Sequence, residues 1–169
     1  MEQVYYEMDD LLTPILAAIE KEGISINKDY FTCFGSELEA KLKEIETKIY
    51  KHVDSDEEKI NLNSPKQVGA LLFETLGLPV VKKTKTGFST DSEVLEELDA
   101  NYESEVPGLL LKYREIGKIF STYVNALPEL VNETSKRIHT SFNQHIAATG
   151  RLSSVNPNLQ NIPIRSELG

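Results

Sequence analysis

The sequence predicts an α+β fold that is predominantly α, with long antiparallel helices and a small antiparallel β element at the C-terminal end. Three observations predict it. Apolar residues recur at three- and four-residue spacing within residues 7–22, 28–52 and 106–126. Capping and stop residues bracket those segments. Arg137-Ile-His-Thr-Ser-Phe-Asn143 alternates and is rich in strand formers. With 169 residues, 40% of them hydrophobic, the chain can build one core, or a core with an appendage.

Residues 7–22 read as a helix with an apolar face of Leu11, Leu12, Ile15, Leu16 and Ile19. Pro14 is tolerable only near its first turn, and Gly23 is a natural stop. Ile24-Ser-Ile26 suits a brief extended piece. Asn27 can cap a second helix over residues 28–52. Its stripe of Phe31, Phe34, Leu38, Leu42, Ile45 and Ile49 suits core packing, and it also suits a coiled-coil dimer. Ser64 opens a third helix, with Pro65 at the first position, Gln67 completing a capping box and Gly77 ending it. Thr90 with Glu93 forms another box, for a short helix through Leu98. A long helix from Val106 to Ala126 has Leu109, Leu110, Tyr113, Ile116, Phe120 and Val124 on its buried side. Gly117 within it costs about 1 kcal/mol relative to Ala. Gln144 to Ser153 offers a partner for the strand Arg137–Asn143.

Composition excludes several classes. No apolar run approaches a membrane span, and Met1 is followed by acidic residues rather than a signal sequence. With nothing else supporting secretion, the Asn132-Glu-Thr134 triplet is no sign of glycosylation, and a cytoplasmic protein is expected. The single cysteine, Cys33, excludes an internal disulfide and is expected to be buried between Phe31 and Phe34. Asp54-Ser-Asp-Glu-Glu58 lacks the spaced ligands of a calcium loop. His139 and His145 lack the partners of a catalytic histidine and read as structural or solvent-facing. Net charge is −9, yet residues 112–169 carry seven Lys/Arg against four Asp/Glu, and the preceding residues eleven against twenty-three. The C-terminal third can therefore face a polyanion.

Two stretches carry binding chemistry. Lys82-Lys-Thr-Lys-Thr-Gly-Phe-Ser-Thr90 is the one concentrated basic loop, and it suits either phosphates or a solvated turn. It lacks the glycines of a P-loop, and Lys85-Thr86-Gly87 lacks the Ser-x-x-Lys partner of penicillin-binding enzymes. Ala147–Arg165 is dense in donors, contains no carboxylate and is pegged by Leu152, Leu159, Ile162 and Ile164. Its donors suit phosphate oxygens and base-edge acceptors, although its composition also suits a loop that satisfies its own backbone. Arg114 and Lys118, four residues apart, share a helix face that an anionic partner would suit.

In order, Thr149-Gly-Arg-Leu-Ser-Ser and Pro157-Asn-Leu-Gln-Asn-Ile-Pro-x-Arg165 resemble the segment leading into the palm of family A DNA polymerases. Leu62-Asn-Ser-Pro-Lys-Gln, the basic loop and Tyr113-Arg-x-x-x-Lys-x-x-Ser-Thr-Tyr123 resemble the thumb of the same family. Phe120 departs from the pattern, standing where the family often has Lys.

The resemblance covers essentially the whole chain. It implies N-terminal helices and thumb base over 1–59, a thumb over 60–130 with tip loop 82–90, and the start of a palm over 131–169. It assigns duplex DNA contacts to Lys83, Thr84, Lys85, Thr86, Arg114, Lys118, Ser121 and Thr122, and to Arg151, Ser153, Asn158, Gln160, Asn161 and Arg165. Arg151 matches an arginine that reaches the minor-groove acceptors shared by all correct pairs. The expected partner is primer–template duplex DNA, with dNTP and magnesium belonging to the full enzyme and no cofactor to this chain. The family's Asp-Tyr-Ser motif is not in the sequence. The chain is therefore expected to be a monomeric piece of a longer polymerase, inactive alone. The rival expectation is a helical module that dimerises through the Phe31–Ile49 stripe without binding DNA.

Overall fold

The structure is a computed structural model that describes residues 5–53, 60–85 and 87–163. Thr86, Arg165 and the acidic turn Asp54–Glu58 lie outside the described residues. The helices are α1 (Asp10–Glu22), α2 (Lys28–Lys51), α3 (Pro65–Ala70), α4 (Ser92–Asn101), α5 (Val106–Ile119) and α6 (Ala126–Glu129). Wider π turns precede α1 (Tyr5–Asp9), follow α3 (Leu71–Thr75) and follow α5 (Phe120–Val124). Two small antiparallel sheets pair β1 (Lys83–Thr84) with β2 (Gly87–Phe88), and β3 (Ser141–Asn143) with β4 (Ser153–Val155). The fold is thus mainly helical with small antiparallel sheets, as expected, and the basic loop folds as a hairpin.

The chain divides into two compact units, Met1–Gly35 with Ile119–Gly169, and Ser36–Lys118. In the second unit Leu38, Ile49, Leu71, Leu72, Leu95 and Leu110 are fully buried. Each contributes roughly 1.5–3 kcal/mol of hydrophobic stabilisation. The α2 stripe therefore serves the chain's own core, with Leu38, Ile45 and Ile49 all buried. Tyr113 donates its hydroxyl to Glu46 Oε1 at 2.9 Å, and burial, with that carboxylate, pushes its pKa up to about 12.

In the first unit Tyr123, Leu127 and Ile138 form a buried cluster, with Ile26, Phe31, Val131 and Leu159 packed against it. The helix expected to run unbroken to Ala126 instead widens at Phe120–Val124, where the Asn125 amide bonds back to the Phe120 carbonyl. Tyr123, Val124 and Leu127 are buried there, while Phe120 stays half-buried.

Several local expectations need correction. Leu16 is the buried residue of α1, whereas Leu11, Ile15 and Ile19 are exposed. The covered side is the one from which Glu20 accepts the Phe142 amide and the Asp9 carbonyl accepts Gln144 Nε2. Cys33 is exposed, on the side of α2 away from the buried stripe. Asp91, not Thr90, caps α4, accepting the Val94 amide at 3.0 Å. Ser64 caps α3, but the Gln67 side chain reaches back to the Asn61 amide rather than closing a box with Ser64. Of the expected strand, only Ser141–Asn143 enters a sheet. Arg137 turns to the Gly23 carbonyl and His139 to the Glu20 carbonyl, so Ile138 pairs with Ile24 instead.

Candidate nucleic-acid interface

The basic hairpin sits on a built platform in the second unit. Lys83 faces Phe88 and Thr84 faces Gly87, and the Ser89 amide adds a bond to the Lys82 carbonyl. Phe88 packs on Phe73 with ring centroids 5.0 Å apart, tying the hairpin to the turn after α3. Gly87, at φ +151°, accepts the Thr84 hydroxyl through its carbonyl. The three lysines differ in what they face. Lys82 is held by Asp91 at 3.1 Å and Glu93 at 3.6 Å. Lys83 and Lys85 are exposed, with no carboxylate partner among the described residues.

Arg114 is half-buried beneath this hairpin. It donates to the Thr90 carbonyl and, at 3.1 Å, to the Thr90 hydroxyl. Burial lowers its pKa and nearby Asp91 opposes that shift, but a guanidinium remains charged at any working pH. Those bonds fix the fork's direction. It lines a groove of about 1070 Å³ with Thr84, Gly87 and Phe88 of the hairpin. Arg114 and Lys118 also line a second, smaller groove along α5, and Lys118 is exposed.

Asn63, Ser64 and Lys66 line the larger groove as well, beyond the residues that the resemblance assigns. In the sequence Asn63-Ser-Pro-Lys66 carries only the signal of a helix start.

The second candidate surface lies in the first unit. Arg151 is exposed, and its guanidinium has no partner among the described residues. It follows Gly150, at φ +74°. Just beyond it, Thr140, Ser154 and the Pro157 carbonyl form a buried network, with Thr140 Oγ1 2.7 Å from Ser154 Oγ. The Asn156–Pro157 peptide is cis. Ser153 is half-buried, and Asn158, Gln160 and Asn161 are exposed. Their amides differ in use. Asn158 Oδ1 accepts the Gln160 amide, Gln160 uses both ends of its carboxamide on backbone, and at Asn161 it is the backbone carbonyl that takes the Tyr123 hydroxyl. Ser121 and Thr122 are exposed on the π turn after α5.

His139 is a structural residue. Its Nδ1–H must donate to the Glu20 carbonyl, and its Nε2 lies 2.7 Å from the Ser135 hydroxyl. No group of three or more His, Cys, Asp and Glu among the described residues could hold a metal. No step through magnesium is assigned to them. No described helix is long and apolar enough to cross a membrane.

Residues 28–169 match the sequence model of DNA polymerase family A. DNA polymerase I of Bacillus subtilis (strain 168) is 47% identical over 167 residues, covering 99% of this chain and 18% of that protein. DNA polymerase I of Synechocystis sp. is 48% identical over 169 residues, covering 99% of this chain and 17% of that protein. The chain thus spans less than a fifth of the length of these curated relatives. The solved POL domain of Pol1 from M. smegmatis, in complex with DNA primer-template and dNTP, matches with a TM-score of 0.87 at 38% identity. That match covers 98% of this chain and 28% of the other.

Proposed function

Because this chain belongs to DNA polymerase family A, we propose that it is the part of a DNA polymerase that grips primer–template duplex, joining a thumb to the start of a palm. The observation that carries the reading is the basic hairpin. Lys83 and Lys85 stand exposed on a braced platform, above a groove lined by Arg114. Ammonium groups held there neutralise phosphates without reading sequence. Lys118 extends the same chemistry along α5 in the second unit, and Ser121 and Thr122 offer hydroxyls in the first. At the hairpin Thr86 would donate, while the Thr84 hydroxyl, spent on the Gly87 carbonyl, can only accept.

Arg151 takes a different role in this reading. A rigid guanidinium fork can bind the O2 and N3 acceptors of the minor groove, which every correct pair presents. It would sense the geometry of the terminal pair. Asn158, Asn161, Ser153 and Arg165 would line the same duplex.

Nucleotide transfer and dNTP and magnesium binding belong to the whole polymerase in this proposal, so the chain alone extends no primer. Its expected state is a monomer in the cytoplasm. No observation favours dimerisation through α2, since Leu38 and Ile49 are fully buried within the single chain.

Arg151→Ala tests the terminal role. It should weaken binding to a duplex with a recessed 3′ end more than binding to a blunt duplex of the same length. An equal loss on both would remove the minor-groove assignment.

A further inference from the structure

Among the described residues of its segment, Gln160 is the one amide with both ends engaged on the backbone of β4 and the residue before it. Its Oε1 accepts the Ser154 amide at 3.0 Å, and its Nε2 donates to the Leu152 carbonyl at 2.9 Å. Ser154 faces Phe142 as a non-hydrogen-bonded pair, since the Phe142 amide goes to Glu20 Oε1 at 2.6 Å, so Ser154 and, two residues back, Leu152 point these groups away from β3. The carboxamide therefore makes the pair of bonds that a neighbouring strand would make. Gln160 is itself held, since its own amide donates to Asn158 Oδ1 at 3.0 Å.

We propose that Gln160 is a positioning residue, a one-residue substitute for a third strand that fixes the backbone presenting Arg151. The inference rests on the duplex-binding role proposed for Arg151. The Arg151 side chain springs from the residue just before Leu152. On its other flank lies Gly150, at φ +74°, a residue type that resists rotation least. Gly150 is tied back by a turn bond from its amide to the Ala147 carbonyl at 3.1 Å, and Gln160 braces the Leu152 side of Arg151. Although the residue is exposed, its carboxamide is aimed at the backbone of Ser154 and Leu152.

The test has a DNA-free arm and a DNA arm, both on the 169-residue chain. In the first, amide exchange and 15N relaxation are measured for wild type, Gln160→Ala and Gln160→Glu. Gln160→Ala should deprotect the Ser154 amide and raise the mobility of the Arg151 backbone. Gln160→Glu keeps an acceptor for Ser154 and loses the donor to Leu152. It should keep the Ser154 amide protected while still loosening Arg151. An unchanged Ser154 amide in Gln160→Ala, or an Arg151 as ordered as in wild type, overturns the proposal.

The DNA arm is a double-mutant cycle on a recessed-end duplex. Gln160→Ala should weaken binding by about tenfold in wild type and by less than about twofold in the Arg151→Ala background. Equal losses in the two backgrounds would make Gln160 an independent DNA ligand and overturn the positioning role. Absence of any DNA affinity in the folded wild type would remove the proposed function instead, and the exchange arm would still decide the brace.

Discussion

Ile24 and Ile138 exchange a reciprocal pair of backbone hydrogen bonds, each 2.8 Å long, that closes the end of α1 onto the segment leading into β3. Gly23 makes that closure possible. Its φ is +67°, and a Cβ there would lie 2.7 Å from the Ile138 carbonyl oxygen and 2.8 Å from the His139 ring. Gly23→Ala should therefore destabilise the chain by more than about 1 kcal/mol, read as a lower midpoint in urea unfolding at unchanged slope. An unchanged midpoint would contradict this account of the turn.

The Thr140–Ser154 network makes a second prediction. Thr140 Oγ1 lies 2.7 Å from Ser154 Oγ and 2.7 Å from the Pro157 carbonyl, and Ser154 is fully buried. Thr140→Val keeps the shape and removes the Thr140 bonds, leaving Ser154 Oγ with the Pro157 carbonyl at 3.1 Å and the Leu159 amide at 3.2 Å. It should cost about 1–3 kcal/mol in denaturant unfolding, whereas Thr140→Ser should cost less. Equal costs would mean that volume rather than hydrogen bonding matters there.

Leu38 separates core packing from dimerisation. It is fully buried on the α2 stripe. Leu38→Ala should lower stability by about 2–5 kcal/mol, with a thermal midpoint that does not depend on protein concentration. A midpoint that rises with concentration in wild type would restore the dimer reading.

Asp91 sets a pH dependence of the hairpin. The Val94 amide first, then the Ser89 hydroxyl and Lys82, hold its carboxyl below the ordinary aspartate range. A pKa lower in the folded than in the unfolded chain gives stability that is complete above the unfolded value. That stability is lost as pH falls through the folded one. Asp91→Asn keeps a capping oxygen but not the charge. The Tm gap between wild type and Asp91→Asn should shrink as pH is lowered from about 6 to about 2. A gap that stays constant over that range would contradict the assignment.

Much of the fold was legible because its signals are local. Asn27 caps α2, accepting the Tyr30 amide, Ser64 caps α3, and Gly23 stops α1. What escaped depends on distant partners. Periodicity marked Leu11, Ile15 and Ile19 as an apolar face, but it does not say which side of a helix is covered. The π turn at Phe120–Val124 leaves no mark in the three- and four-residue spacing, which reads straight through it. For the candidate site, the order of residues exposed the basic hairpin and the Arg151 segment. The ion pairs that engage Lys82 and leave Lys83 facing solvent appear only once Asp91 and Glu93 are brought beside the hairpin.

The central claim is that the hairpin is a phosphate clamp, and fluorescence anisotropy with a primer–template duplex across a salt series tests it most directly. The account predicts binding that weakens steeply with salt. It also predicts a log–log salt slope that is shallower by about 2 in the Lys83→Ala, Lys85→Ala double variant. A folded chain whose binding ignores salt, or whose slope is the same in the double variant, would contradict it.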